Sequence, residues 1–226
     1  MSHCLDRPVW TALSSTHAAL AQGNRQARRY PAAIVPFAAT GSDDAESLRA
    51  LAELVPDGDS VVLAQADVVA IPSGLSVLSR VAAVQMTAEA IFPRVEDARV
   101  RQLSLADAPE MLALASATNP GPFTLKALSL GDFWGVRIDG RLAAMAGQRM
   151  RQPGHIELSG VCSHADFRGR GLARLLSLFV AGEICAGGDT PFLHAYAGNT
   201  VAIRLYESIG FTLRCPMHVV KLGRAG

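Results

Sequence analysis

Residues 160–180 read GVCSHADFRGRGLARLLSLFV and join an alternating segment to an amphipathic one. The alternation of HIELSGVCS (155–163) predicts a strand, and the apolar residues after Gly171, spaced i, i+3, i+4 and i+7, predict a helix. Gly169 and Gly171 have no Cβ atom to keep a ligand from the backbone, and the first amides of a helix attract anions. Three arginines lie in the same segment: Arg168, Arg170 and Arg174. The segment therefore predicts a phosphate site, with a plain glycine turn and solvated arginines as the structural alternative.

Three phosphate-binding motifs can be compared with this turn. A Walker A loop needs Gly-Lys-Ser/Thr, and the sequence contains no such string. The dinucleotide fingerprint needs a glycine where Arg174 stands, and an acid after the next strand, where PFLHAYAGN (191–199) ends in Ala, Gly and Asn. The pattern R-x-x-G-x-A is complete, with Arg168, Gly171 and Ala173. The turn therefore favours this third motif.

A second motif, NTVAIRLYESIGF (199–211), follows the turn after one helix and one strand. Asn199 or Thr200 suits the N-cap of a helix at this place. In this order the two motifs resemble the GNAT superfamily, the GCN5-related N-acetyltransferases, over about residues 97–222. The letters GVCSHADFRGRGLA most resemble the glycine-N-acyltransferase-like branch, although Ala165 replaces the proline that the family has before the turn.

The resemblance implies that coenzyme A lies across the turn, with its pyrophosphate on the glycines and its pantetheine arm along the preceding strand. The coenzyme-binding residues expected on this basis are Val161, Cys162, Ser163, Arg168, Gly169, Arg170, Gly171, Leu172, Ala173, Arg174, Asn199 and Tyr206. Cys162 is expected as a small buried side chain, with the nucleophile of an acyl-enzyme as its alternative. No metal is expected, because His164, His194 and His218 show no ligand spacing.

Two residues are expected to move protons. Tyr206 lies two helical turns after Asn199, and its phenol can protonate the leaving thiolate; the alternative is a core tyrosine that anchors its helix. Glu157 falls where several members of the superfamily carry a general base, so we expect it to deprotonate the amine through water. The alternatives to this role are a structural or substrate-binding carboxylate, with bulk water as the base.

The expected fold class is α/β (α+β), with two domains. Residues 96–226 are expected to form a GNAT fold, in which a mixed central sheet has splayed parallel strands and a hairpin spans 133–150. Residues 1–95 are expected to form a smaller αβ domain, with strands at 32–40 and 60–71. This domain has no R-x-x-G-x-G/A turn and is predicted to lack a coenzyme site; a degenerate copy of the same fold is a further interpretation.

The composition excludes several other classes of protein. A net charge of +1 gives no reason to expect nucleic acid as a partner. The four cysteines form no C-x-x-C pair, which favours reduced thiols over a disulfide framework. No apolar run approaches the ~20 residues of a membrane helix, and the first residues do not resemble a signal peptide. The sequence therefore predicts a cytoplasmic protein without a membrane partner.

These observations predict an acyl-CoA-dependent N-acyltransferase that uses acetyl-CoA and a primary amine by direct attack in a ternary complex. The acceptor is open between a small molecule, an amino acid and a peptide N-terminus, and the loop TNPGPFT (118–124) is expected to line its site. A non-catalytic acyl-CoA-binding sensor is the alternative function. A nicotinamide oxidoreductase is disfavoured by the missing third glycine and acid.

Overall fold

The computed structural model describes residues 3–224 of the protein. The α-helices in this range are α1 (Pro8–Leu13), α2 (Ala45–Glu53), α3 (Ala108–Thr118), α4 (Leu172–Ala186) and α5 (Thr200–Ile209). The strands are β1 (Gln22–Gly23), β2 (Ala27–Arg29), β3 (Ala38–Thr40), β4 (Ser60–Gln65), β5 (Leu75–Ala88), β6 (Val100–Gln102), β7 (Phe133–Ile138), β8 (Arg141–Gln152), β9 (His155–Ser163), β10 (Thr190–Tyr196) and β11 (Phe211–Arg224). Among the described residues, no helix has the length and apolar character needed to cross a membrane.

Eight strands form the central sheet, in the order β4-β11-β5-β10-β9-β8-β7-β6. The pair β9-β10 is parallel and the other neighbours are antiparallel, so the sheet is mixed as predicted. A second sheet, β1-β2-β3, is small. The predicted hairpin is also confirmed, because β7 and β8 pair on either side of Asp139 and Gly140.

The two parallel strands separate after a short common stretch. Residues 190–192 of β10 pair with residues 155–157 of β9, and β10 then continues beside β5 instead. Residues 158–163 of β9 keep their pairing with β8 alone, apart from a bulge near Gly160. Gly160 has a φ of +64°, and a Cβ atom there would lie 2.8 Å from the Phe133 ring, so both backbone and packing require glycine. The predicted splay of the parallel strands is therefore confirmed.

The central sheet continues across the boundary that the sequence predicts near residue 95. Strands β4 and β5 precede this boundary, yet β5 lies between β10 and β11, and β11 pairs with β5 from Phe211 to Arg224. Helix α1 likewise packs its apolar side into a cluster that contains Met150 and Phe192. Neither the central sheet nor the hydrophobic core is therefore divided near residue 95. The absence of a coenzyme site from residues 1–95 stays a prediction.

Two strands in this first half are shorter than predicted. The expected strand at 32–40 is reduced to β3 and a single bridge from Phe37 to Val62, because Pro31 begins a turn that includes Ile34. The expected strand at 60–71 ends with Gln65, which is followed by a bend and then Pro72. Strand β5 was not expected, since its residues 76–82 are exposed and lack the alternation of a half-buried strand.

Candidate functional site

A cleft of about 780 Å³ opens where β9 and β10 separate. We call one side the turn arm: residues 158–163 of β9, the turn and start of α4 at 167–174, and α5 from Asn199 to Tyr206. We call the other side the wall arm. Its residues come from distant parts of the chain: Phe37, Val62, Ala64, Ser79, Val81, Ala83, Thr118, Asn119, Pro120, Gly121, Pro122, Arg149, His194, Val219 and Lys221. The expectation that the loop after α3 borders the site fits this placement.

The turn arm has the geometry of an anion cradle. Gly169 and Gly171 have φ values of +75° and +73°, and a Cβ atom at either position would meet no atom within 4 Å. Helix α4 begins at Leu172, so its first amides have no partner within the helix and face the same turn. Arg168 and Arg174 line the cleft beside them, and Arg174 Nη1 donates to Ser208 Oγ at 3.1 Å. These residues fit the pyrophosphate of a coenzyme.

The structure places eleven of the twelve expected coenzyme-binding residues along the cleft. They are Val161, Cys162, Ser163, Arg168, Gly169, Gly171, Leu172, Ala173, Arg174, Asn199 and Tyr206. Arg170 is the exception, because it does not line the cleft and its guanidinium carbon lies 5.3 Å from the centre of the Phe167 ring. The part expected for Arg170 in coenzyme binding stays a prediction, to which this placement lends no support.

Strand β9 presents a free edge to the cleft. From residue 158 to residue 163 the side of β9 that faces β10 has no strand partner, so alternate backbone amides and carbonyls are available to a ligand. Cys162 lies on this segment, and burial raises the pKa of its thiol to about 11. A thiol with this pKa stays protonated near neutral pH and is a weak nucleophile, which favours the small buried side chain over the acyl-enzyme alternative.

Tyr206 joins the core to the cleft. Its ring is buried and lies 6.1 Å from that of Phe211, centre to centre, while its hydroxyl has no hydrogen-bond partner within residues 3–224. This hydroxyl is not among the fully enclosed polar atoms, and Tyr206 lines the cleft. Burial raises the pKa of Tyr206, which keeps its proton in place at neutral pH. Asn199 caps α5 through its Oδ1 atom, which accepts from the Ala202 amide at 3.1 Å.

Glu157 is enclosed and bound by three neighbours: Arg149, His194 and the backbone amide of Met150, which donates to Glu157 Oε2 at 3.3 Å. Its carboxylate accepts from Arg149 Nε at 2.8 Å and Arg149 Nη2 at 2.6 Å, and it bonds to His194 Nδ1 at 2.8 Å. Burial acts to raise the pKa of Glu157, but the charge and hydrogen bonds of Arg149 outweigh burial and lower it to about 2. The residue does not line the cleft. A general base at Glu157 stays a prediction, and this geometry fits the structural alternative better.

The sequence did not point to two cleft residues that contact Glu157. His194 and Arg149 both line the cleft and both contact Glu157. The strand register explains how His194 reaches Glu157. Phe192 of β10 is the partner of Glu157 on β9, so His194, two residues further along β10, lies on the same face of the sheet as Glu157. Arg149 gave no signal, because it is one of several arginines and glutamines at the end of β8.

Comparison with known proteins places this architecture in a family. The chain is similar over its whole length to a solved structure of a candidate acetyltransferase from the GNAT family of Novosphingobium aromaticivorans DSM 12444. The two share 43% sequence identity with a TM-score of 0.93, and the match covers 100% of each chain. This chain belongs to the GNAT family. A family model described as FR47-like protein also matches residues 134–219, which include the hairpin and the turn.

More distant GNAT structures share the fold alone. A GCN5-related N-acetyltransferase from Kribbella flavida is 17% identical, with a TM-score of 0.62 and coverage of 96% of this chain and 92% of that one. A GCN5-related N-acetyltransferase-like protein from Streptococcus suis 89/1591 is 13% identical, with a TM-score of 0.56 and coverage of 98% and 96%. No curated protein matches the chain. Membership of the glycine-N-acyltransferase-like branch stays a prediction.

Proposed function

We propose that this GNAT protein is an acyl-CoA-dependent N-acyltransferase, which transfers an acetyl group from acetyl-CoA to a primary amine by direct attack in a ternary complex. The turn arm carries this proposal, because it combines open glycine positions at 169 and 171 with unpaired helix amides and the free edge of β9. In this proposal residues 96–226 hold the coenzyme. Residues 1–95 hold no coenzyme and supply part of the wall arm.

The chemistry assigns a task to each polar group of the turn arm. Acetyl-CoA supplies an acetyl group activated as a thioester. The amine nitrogen forms a C–N bond to the acetyl carbon, and the C–S bond then breaks. Backbone N–H groups on the free edge of β9 near Val161 are available for the negative charge that develops on the acetyl oxygen. Tyr206 gives its hydroxyl proton to the departing thiolate and regains one from solvent.

The wall arm explains how an amine becomes a nucleophile without a carboxylate beside it. Among the described residues that line the cleft there is no aspartate or glutamate, whereas Arg149 and Lys221 both lie on the wall arm. Glu157 offsets much of the charge of Arg149, whereas Lys221 has no ion-pair partner among residues 3–224. The positive charge of Lys221 disfavours the ammonium form of an amine bound nearby and lowers the pKa of that amine. The amine therefore binds in its neutral form, and water takes the proton that it loses on acylation. Glu157 holds Arg149 and His194 in place in this scheme.

Two measurements test the proposal. Calorimetric titration should give one acetyl-CoA per chain, and a stoichiometry of two would contradict a coenzyme-free first half. A panel of primary amines, incubated with acetyl-CoA and the protein, should release free thiol with at least one member. Acetylated amine in the same mixture, detected by mass spectrometry, separates transfer from simple hydrolysis of the thioester.

One observation favours the second candidate function, a non-catalytic acyl-CoA sensor. The only carboxylate that the sequence placed near the reacting atoms, Glu157, is enclosed, and its pKa of about 2 makes it a weak base. Tyr206 argues in the other direction, because a protein that only binds acyl-CoA has no need of a proton donor for a departing thiolate. Tight binding of acetyl-CoA without thiol release across the whole panel would support the sensor.

A further inference from the structure

The wall arm contains a guanidinium that is held rigidly and yet has donors to spare. Arg149 uses Nε and Nη2 for Glu157, and its side chain is only 13% exposed. Its Nη1 atom has no hydrogen-bond partner among residues 3–224, and it lies 3.8 Å from the point where a Cβ atom of Gly121 would stand. The Phe37 ring covers the guanidinium, whose carbon is 5.0 Å from the ring centre. Arg149 is thus a fixed fork with N–H donors that face the loop after α3.

A second cation stands on the same arm. Lys221 on β11 has Val62 and Ser79 as its cross-strand partners, and all three line the cleft. Lys221 makes no salt bridge with any residue between 3 and 224. Val62 in turn forms a bridge with Phe37, the residue that covers Arg149. Two cations therefore border one apolar wall, and the wall consists of Phe37, Val62, Ala64, Val81 and Val219.

The charge of this arm discriminates between classes of acceptor. An acceptor whose only charge is an ammonium would meet Lys221 and Arg149 without any carboxylate of the described cleft lining to pair with. An acceptor with a carboxylate or phosphate group would satisfy the unused Nη1 donors of Arg149, and planar forks of this kind match both anions. The turn arm cannot offer the same contact when its cations face the coenzyme phosphates.

We propose that the acceptor is an amine that carries an anionic group, a carboxylate or a phosphate, on a partly apolar body, and that Arg149 and Lys221 select it. This inference rests on the proposed function, since it concerns the second substrate of the same cleft. Glu157 is a positioning residue in this scheme, because it acts on the acceptor only through Arg149.

The experiment measures the binding of acylated products. It therefore requires no turnover, and the affinities do not depend on the pKa of an amine. With the turn arm saturated by coenzyme A, calorimetry compares N-acetylphenylalanine with N-acetylphenylalaninamide, and N-acetyl-O-phosphoethanolamine with N-acetylethanolamine. We expect the anionic member of at least one pair to bind at least tenfold more tightly. The pair that shows this preference identifies the anion as carboxylate or phosphate.

Two variants connect the preference to the wall arm. Lys221→Gln changes an exposed side chain on a strand surface and keeps the fold, while Arg149→Lys keeps a positive charge beside Glu157 but removes the fork. Each should reduce the anion preference severalfold without changing the affinity for coenzyme A. Equal binding within both pairs, no binding by any member, or a preference that survives both variants would overturn the inference.

These outcomes are separate from a failure of the proposed function. If the protein acetylates uncharged amines and shows no preference for anions, the inference fails and the N-acyltransferase stands. If anionic products bind through Arg149 and Lys221 but no amine in the panel releases thiol, the anion site stands and the enzymatic function fails.

Discussion

The two arms of the cleft are built in opposite ways. The turn arm lies mostly within residues 158–174, where a strand, a glycine turn and a helix start follow one another along the chain. The wall arm combines positions as far apart as Phe37 and Lys221, which meet only because β4, β5 and β11 join the sheet side by side. A site made of consecutive residues leaves a motif in the sequence. A site made by strand pairing does not.

The largest expected effect is a fall in kcat when the turn arm loses the Tyr206 hydroxyl. Tyr206→Phe keeps the buried ring, so coenzyme affinity and stability should change little. The proposed proton donor for the thiolate is lost, and general acid catalysis contributes about 10²–10⁴-fold, so kcat with a responsive amine should fall by that factor. Steady-state assays of thiol release measure it.

Tyr196→Phe is the matched control for this prediction. Tyr196 also lines the cleft, but it stands at the end of β10 and is 38% exposed. Its kcat should stay within about twofold of the parent protein, since no step of the proposed transfer uses its hydroxyl. A Tyr206→Phe enzyme that works at full rate would remove Tyr206 as the acid and weaken the contrast between the arms.

A change of similar size, in the free energy of unfolding, should follow the loss of the Glu157 carboxylate behind the wall arm. Glu157→Gln leaves Arg149 as a buried charge without its counterion, and loss of one partner of such a pair costs about 3–5 kcal/mol in the free energy of unfolding. Urea denaturation measures this change. The double variant Arg149→Gln, Glu157→Gln should recover part of the loss, because neither charge remains unpaired. A Glu157→Gln protein as stable as the parent would show that the pair is not needed to hold the wall arm.

A smaller effect, on the stabilisation of the protein by acetyl-CoA, should distinguish the glycine turn of the turn arm from a glycine turn outside the cleft. Gly171→Asn places a side chain in the open cradle, and asparagine tolerates the φ of +73° better than other residues. At a concentration of 100 times its Kd, acetyl-CoA stabilises the parent by about 2.7 kcal/mol, and the variant should lose most of the corresponding rise in Tm. Gly188→Asn is the control, because Gly188 has a φ of +87°, equally open surroundings and no place in the cleft. An unchanged Tm rise in folded Gly171→Asn would mean that the phosphates lie elsewhere.

The sequence predicted the fold of the second half and most of the turn arm, for a physical reason that the residues make plain. In the proposed site, Gly169, Gly171 and Asn199 act through their own backbone or through a neighbour in the same turn, so their spacing along the chain is the spacing of the site. The surroundings of Glu157 could not be predicted in this way. Its position on β9 was foreseen, but its enclosure depends on Arg149 of one neighbouring strand and His194 of the other.

Strand pairing also explains what was missed in the first half. The residues of β5 between 76 and 82 are exposed, since β10 covers only the following part of this strand. No alternation marks such a segment, and the sequence gives no sign that it inserts between β10 and β11. The boundary expected near residue 95 reflects a change of composition along the chain, whereas the sheet and the wall arm extend across it.

Hydrogen exchange of backbone amides, with and without acetyl-CoA, tests the separation of the two arms most directly. We predict slower exchange on binding in residues 158–163 and 169–174, where free-edge and first-turn amides gain acceptors from the ligand, and no change in β4 and in residues 76–82 of β5. Protection of β4 and β5 without protection of the turn at 169–174 would contradict the account, because it would place the coenzyme on the wall arm.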